Sequence, residues 1–174
     1  SFKYPTSKEN VLSDINFCVK PGKTLGILGK TGCGKTTLLK QFLRFYDVED
    51  GEILLNDKNL TDYTVESVRE RMGYVPQNHM IFSKTIGENI KLTNKDATDE
   101  ELMEAIRMSD FEKDLDKLVN GKDTLCGEKG ISLSGGQKQR IALSRALIKN
   151  PDILIMDDCM SAVDGTTEKN ILDN

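Results

Sequence analysis

Apolar residues fall in short runs separated by polar, glycine-bearing turns, and their period changes from segment to segment. Leu12, Ile15, Phe17 and Val19 alternate loosely, as in a strand with one covered face, and Pro21-Gly22 turns the chain. Thr24-Leu-Gly-Ile-Leu28 is a short continuous apolar run, the pattern expected of a parallel strand buried on both faces. The spacing then stretches to that of a helix from Thr36 to Tyr46, with Leu38, Leu39, Phe42, Leu43 and Tyr46 on one face. Asp50-Gly51 predicts a turn. Glu52 to Leu55 and Lys58 to Leu60 predict two strands joined by a turn at Asn56-Asp57. Val65 to Arg71 is expected to be helical, and Met72-Gly-Tyr-Val75 to be a strand closed by Pro76.

The middle of the chain follows a helical period. Thr98-Asp-Glu-Glu101 has the reciprocal capping pattern of a helix start, and the helix should run to about Met108. Asp110 to Val119 predicts another helix, and Gly121 to Gly130 a polar, glycine-rich loop. Ser134-Gly-Gly-Gln137 repeats the capping pattern and opens a helix to Lys149, which Asn150-Pro151 stops. Ile153-Leu-Ile-Met156 reads as a buried strand ending in Asp157-Asp158. This order predicts an α/β fold. Its parts are a largely parallel sheet, a small antiparallel β region and a helical insert at roughly 84–145, all within one domain spanning 1–174.

Within that order, Gly29-Lys30-Thr31-Gly32-Cys33-Gly34-Lys35-Thr36-Thr37 contains the spacing G-x-x-x-x-G-K-[ST] between a predicted strand and a predicted helix. Glycines let the backbone close around a phosphate with its N–H groups turned inward, and the helix behind adds its positive end. In such a loop Lys35 would reach the β- and γ-phosphates, and the Thr36 hydroxyl would hold Mg²⁺. An apolar strand ending in an acid is the natural second half of that site, so Asp157 would bind Mg²⁺ beside Thr36. Leu133-Ser134-Gly135-Gly136-Gln137 is a second helix start with glycines and a hydroxyl. On chemistry alone it is either an ordinary capped helix or an anion site facing the nucleotide of a second molecule.

Bulk properties narrow the class. The chain has 174 residues, enough for one domain with a core, and its 37% hydrophobic and 30% charged residues suit a globular protein. A net charge of −4 without a basic run argues against a nucleic-acid partner. No apolar stretch approaches the roughly 20 residues that cross a bilayer. Cys18, Cys33, Cys126 and Cys159 lack metal-type spacing, which points to a reduced setting with Cys33 as a small filler in the loop. The absence of an initiating Met suggests an excised fragment.

Leu133 to Gln137, lying between the two nucleotide motifs, resembles the signature of ABC (ATP-binding cassette) ATPases, whose core is a P-loop NTPase. That resemblance favours the composite-site reading, with Ser134, Gly135, Gly136 and Gln137 serving the ATP of a partner domain. Tyr4, in Phe2-Lys-Tyr4-Pro, is similar to the family's aromatic that stacks on adenine. Gln77, in Tyr74-Val-Pro-Gln77, is similar to the residue that touches Mg²⁺ and the attacking water. Ser161-Ala-Val-Asp164 resembles the D-loop that crosses the dimer interface. Asp123-Thr-Leu-Cys-Gly127-Glu128-Lys-Gly130 and Ile81-Phe-Ser-Lys-Thr-Ile-Gly-Glu-Asn-Ile90 resemble segments of exporter-type cassettes. The resemblance implies an ATP- and Mg²⁺-dependent domain that pairs with a second one, works beside transmembrane domains, and sits at the cytoplasmic face of the cell membrane. A soluble cassette ATPase acting on ribosomes or DNA, and a non-hydrolysing module that gates a partner, are the alternatives.

Two positions depart from the family. Its usual Glu after the Mg²⁺ aspartate is Asp158 here, shorter by about 1.5 Å of reach. A general base must come within ~2.6–3.2 Å of its proton, so this chain's own site is expected to be slow. Asp at this position resembles the weak half of heterodimeric exporters. The family's switch His would lie past Asn174, and the final strands of the sheet with it, so reduced stability is expected. His79 is expected to be a solvated loop residue.

Overall fold

The structure is a computed structural model that describes residues 1–127 and 131–158. Glu128-Lys129-Gly130, Cys159 and the Ser161–Asp164 segment lie outside the described residues. The chain divides into two compact units, one from Ser1 to Arg69 and one from Glu70 onward.

In the first unit the N-terminus doubles back, with Phe2 and Leu12 bridged antiparallel and both side chains buried. The helix α1 (Lys35–Phe42) follows the glycine-rich loop. It ends earlier than its apolar pattern predicts, because Arg44 takes a left-handed backbone with φ 49°. Leu43 is buried as expected, while Tyr46 is 37% exposed. The free carbonyls at the end of α1 are taken by arginine: Arg69 Nε donates to Leu43 O at 2.9 Å and its Nη2 to Arg44 O at 3.1 Å. Strands β1 (Leu54–Leu55) and β2 (Lys58–Asn59) form an antiparallel hairpin. Asn56 and Asp57 turn it with φ 52° and 62°, the left-handed pair that a tight two-residue hairpin requires. Helix α2 (Val65–Glu70) buries Val68.

The expected buried strand Thr24–Leu28 is corrected. The segment joins no ladder among the described residues, and Leu25 and Leu28 are 46% and 96% exposed. Apolar content cannot make a strand by itself. A parallel strand forms only where neighbours on its edges take its N–H and C=O groups. Ile15, Phe17 and Val19 are exposed for the same reason.

In the second unit β3 (Met72–Val75) and β4 (Ile153–Met156) pair in parallel, Met72 opposite Ile153 and Val75 opposite Met156. The crossover between them is helical: α3 (Ile86–Ile90), α4 (Asp99–Met108), α5 (Glu112–Leu115) and α6 (Gly135–Leu147). Ile86, Ile90, Ile106, Phe111 and Ile141 form its fully buried centre. Ala142, Leu143 and Ala146 press α6 against Val75 of β3. Capping boxes open α3 at Thr85/Glu88, α4 at Thr98/Glu101 and α6 at Ser134/Gln137. The helix expected over Asp110–Val119 contracts to the four residues of α5, since Asp110 turns left-handed at φ 55°. β4 is covered less than predicted: Ile155 is buried but Leu154 is 37% exposed.

Candidate nucleotide site

The loop before α1 is built by its glycines. Gly32 and Gly34 have φ 82° and 98°, in the left-handed region that side chains resist. Gly34 is the N-cap of α1, and no side chain caps the helix. The first turn also carries no acidic residue, so its N–H groups and partial positive charge face whatever anion enters. Lys35 folds back over the loop, its Nζ donating to Gly29 O at 2.8 Å and Lys30 O at 3.1 Å, with Cys33 Sγ at 4.0 Å. Gly29, Lys30, Thr31 and Gly32 are exposed and Thr36 is half-buried. Thr37 is buried, its Oγ1 sharing a hydrogen bond of 2.9 Å with the Tyr4 hydroxyl. The Tyr4 ring sits edge-on between Phe2 and Tyr46, at centroid distances of 5.2 and 5.3 Å.

In the second unit the end of β4 delivers two acids in different settings. Asp157 is buried, its N–H donating to Val75 O at 3.0 Å, and its carboxylate accepts from the Tyr74 hydroxyl at 3.4 Å. Burial, followed by the neighbouring charge of Asp157, raises the Tyr74 phenol above its ordinary pKa. Asp158 turns outward at φ 48° and is exposed, and its Oδ2 accepts from Gln77 Nε2 at 3.1 Å. The structure thus joins Gln77 to Asp158 across 81 residues of sequence. His79 is half-buried, not solvated as predicted, and burial pulls its pKa below the ordinary value.

At the start of α6, Ser134 N donates to Gln137 Oε1 at 3.0 Å and Gln137 N donates to Ser134 Oγ at 3.2 Å. Gly135 follows in the first turn, exposed, and Gly136 is half-buried. Gln137 Nε2 reaches Asp114 Oδ1 at 3.2 Å, and the buried Asp114 is ion-paired with Arg140. Asn89, fully buried, ties down the stretch after Gln77. Its Oδ1 accepts from Phe82 N at 2.9 Å and its Nδ2 donates to Phe82 O at 3.0 Å, while Arg145 Nη1 donates to Met80 O at 3.0 Å. Tyr74, Asp114, Asn89, Arg140 and Arg145 are absent from the sequence-based site. Tyr74, Asp114, Arg140 and Arg145 act through partners far along the chain, which leave no local spacing to read, while Asn89 bonds the backbone of the nearby segment 82–85.

The family model described as ABC transporter matches residues 12–161. The probable multidrug resistance ABC transporter ATP-binding/permease protein YheI of Bacillus subtilis is 51% identical over 174 residues, 100% of this chain and 30% of that protein. The multidrug resistance-like ATP-binding protein MdlA of Escherichia coli is 46% identical over 99% of this chain and 29% of its own length. A solved structure, that of a bacterial Atm1-family ABC exporter with ATP bound, superposes with a TM-score of 0.77 at 40% identity. It covers 83% of this chain and 25% of that one. The chain therefore spans about a third of the length of the curated relatives it matches. It belongs to the ABC transporter family, as an ABC ATPase domain of the P-loop NTPase fold that binds ATP.

Proposed function

We propose that the chain is the nucleotide-binding domain of an exporter at the cytoplasmic face of a cell membrane, closing around MgATP against a second such domain to drive transport. The observation that carries this is the uncapped first turn of α1 with the Lys35 ammonium held over the loop carbonyls. A triphosphate would exchange those carbonyls for phosphate oxygens, which form stronger charge-assisted bonds, while backbone amides between Gly29 and Thr37 line the rest. Tyr4 would stack on the base. The ATP-binding/permease and multidrug names of the relatives support the exporter assignment.

The donors assigned to Mg²⁺ are the Thr36 hydroxyl, the Gln77 carboxamide and the Asp157 carboxylate. All are hard oxygen ligands of the kind this ion prefers, and Asp157 is a buried carboxylate at the end of β4. Bound there, the ion would neutralise phosphate charge. Every further role falls to the chain itself. Asp158 takes the place of general base, short of the usual reach and already accepting from Gln77. Ser134 Oγ accepts from Gln137 N, which leaves its hydroxyl proton available to donate to the nucleotide of the partner; Gly135 and Gly136 leave the approach open. A slow site that still completes its partner's site fits one half of a heterodimer.

Binding of a fluorescent ATP analogue tests the reading. Lys35→Ala should weaken it by about 10- to 100-fold, the worth of hydrogen bonds from a charged donor. Unchanged affinity would remove the basis of the assignment.

A further inference from the structure

We propose that Tyr74 is a positioning residue for Asp157: its hydroxyl orients the carboxylate that would hold Mg²⁺. The proposal rests on the reading of Asp157 as a Mg²⁺ ligand.

The β3–β4 register brings the two residues together. Tyr74 lies opposite Ile155, and residues two apart along a strand share a face, so Asp157 follows one step along the face that carries Tyr74. The ladder continues past the end of β4, with Asp157 N donating to Val75 O at 3.0 Å. That bond fixes the Asp157 backbone against β3. It leaves the side chain two torsions, and the second, which turns the plane of the carboxylate, is intrinsically broad. The Tyr74 hydroxyl reaches across and donates to Asp157 Oδ2 at 3.4 Å. A carboxylate offers about four lone-pair sites, so one hydroxyl hydrogen is compatible with a hydrated cation on the same group. Mg²⁺ demands near-ideal octahedral geometry and gives up its waters reluctantly, which makes the direction of each oxygen ligand matter. Groups that hydrogen-bond a ligating carboxylate from behind set that direction.

A simpler role for the hydroxyl is to satisfy a buried acid. Asp157 is buried, and buried polar groups are hydrogen-bonded. The two roles part over the metal. A donor that only satisfies the acid stabilises the fold whether or not Mg²⁺ is present. A donor that orients the acid changes what Mg²⁺ adds to nucleotide binding.

Tyr74→Phe tests this in the assembled transporter, through photolabelling on ice by an azido derivative of ATP, read on the peptides of this chain. Affinity is taken at saturating Mg²⁺ and again in EDTA, and the ratio is the gain that the metal brings. Phenylalanine keeps the ring and removes the donor. The gain should fall about tenfold, the lower end of the cost of losing a partner behind a metal ligand. Affinity in EDTA should stay within about twofold, because without the metal the carboxylate has nothing to coordinate. In an Asp157→Asn background Tyr74→Phe should change the gain no further, as expected for groups acting through one another. An unchanged gain in Tyr74→Phe, where Asp157→Asn abolishes it, overturns the role of Tyr74 alone. Equal weakening with and without Mg²⁺ gives the hydroxyl to the fold and overturns that role as well. A gain absent from the parent, or one that survives Asp157→Asn, overturns the reading of Asp157 and this proposal with it. Should Tyr74→Phe not fold, Tyr74→Met also lacks the donor and adapts its shape to the gap; an unchanged gain there again overturns the role.

Discussion

Gln77 and Asp158 meet at 3.1 Å, so the acid proposed as base already accepts from a neighbouring amide, and side-chain length would decide what is left for a water. Glutamate at 158 would carry its carboxylate about 1.5 Å further from the backbone. Misplacement near 1 Å can cost ~10²-fold in rate, so Asp158→Glu should raise ATP turnover at this site by roughly ten- to a hundredfold. Single-turnover cleavage in the assembled transporter measures it, and an unchanged rate would show that reach is not the limit. His79 offers a second check. Burial lowers its pKa, the Pro76 carbonyl opposes that, and the Arg145 charge adds to the lowering. A depressed value means the neutral ring stabilises the fold above about pH 6.5, a contribution lost as pH falls through the lower folded value. As the single histidine, its ring protons titrate alone in an NMR spectrum, and the midpoint should lie below 6.5. His79→Gln should flatten the acid side of the melting-temperature profile. At this scale the phosphate loop was legible because one fixed spacing holds it together. The Gln77–Asp158 contact and the cover over His79 were not, because they join residues that only the fold makes neighbours.

Among elements, helix starts were the most readable features. Thr98/Glu101 and Ser134/Gln137 cap their helices as their spacing predicts, because a box of i and i+3 residues is entirely local. Thr85/Glu88 has the same spacing and caps α3, though it lay unread in the sequence. Strands fared less evenly. Met72–Val75 and Ile153–Met156 pair in parallel, whereas Thr24–Leu28, equally apolar, joins no ladder among the described residues. Periodicity tells what a segment can bury but not which edge will accept it. The β3–β4 pair has one tight point. A Cβ on Gly73 would lie 2.8 Å from Pro151 Cγ, 2.9 Å from Ala146 O and 3.2 Å from Leu154 Cδ1. The end of α6 and the neighbouring strand would have to yield, so Gly73→Ala should destabilise the chain by about 1–3 kcal/mol, the usual range for overpacking. The urea midpoint should drop with an unchanged slope; a stability equal to the parent's would mean that the contact gives way freely.

For the molecule as a whole, the order of motifs identified the family before any long-range contact was known. The phosphate loop, Gln77, the signature serine and Asp157 occur in one sequence order, and the family model matches across residues 12–161. The assigned nucleotide residues fall in both compact units, Gly29–Thr37 in the first and Gln77, Asp157 and Asp158 in the second. That division gives the function a test independent of catalysis. A ligand that binds only the native state stabilises it by about 2.7 kcal/mol at a hundredfold excess over Kd, and it suppresses the openings through which amides exchange. If the loop alone gripped the phosphates, MgATP would slow exchange at residues 29–37 and leave the second unit as it was. If Gln77 and Asp157 share the nucleotide, the amides at 75–78 and 156–158 should be protected too, to a similar degree and with the same dependence on nucleotide concentration. Hydrogen exchange on the chain with MgATP, and on Lys35→Ala as the control in which both effects should shrink at the same nucleotide concentration, separates the two outcomes. Protection confined to the first unit would break the assignment of Gln77 and Asp157 while leaving the phosphate loop standing.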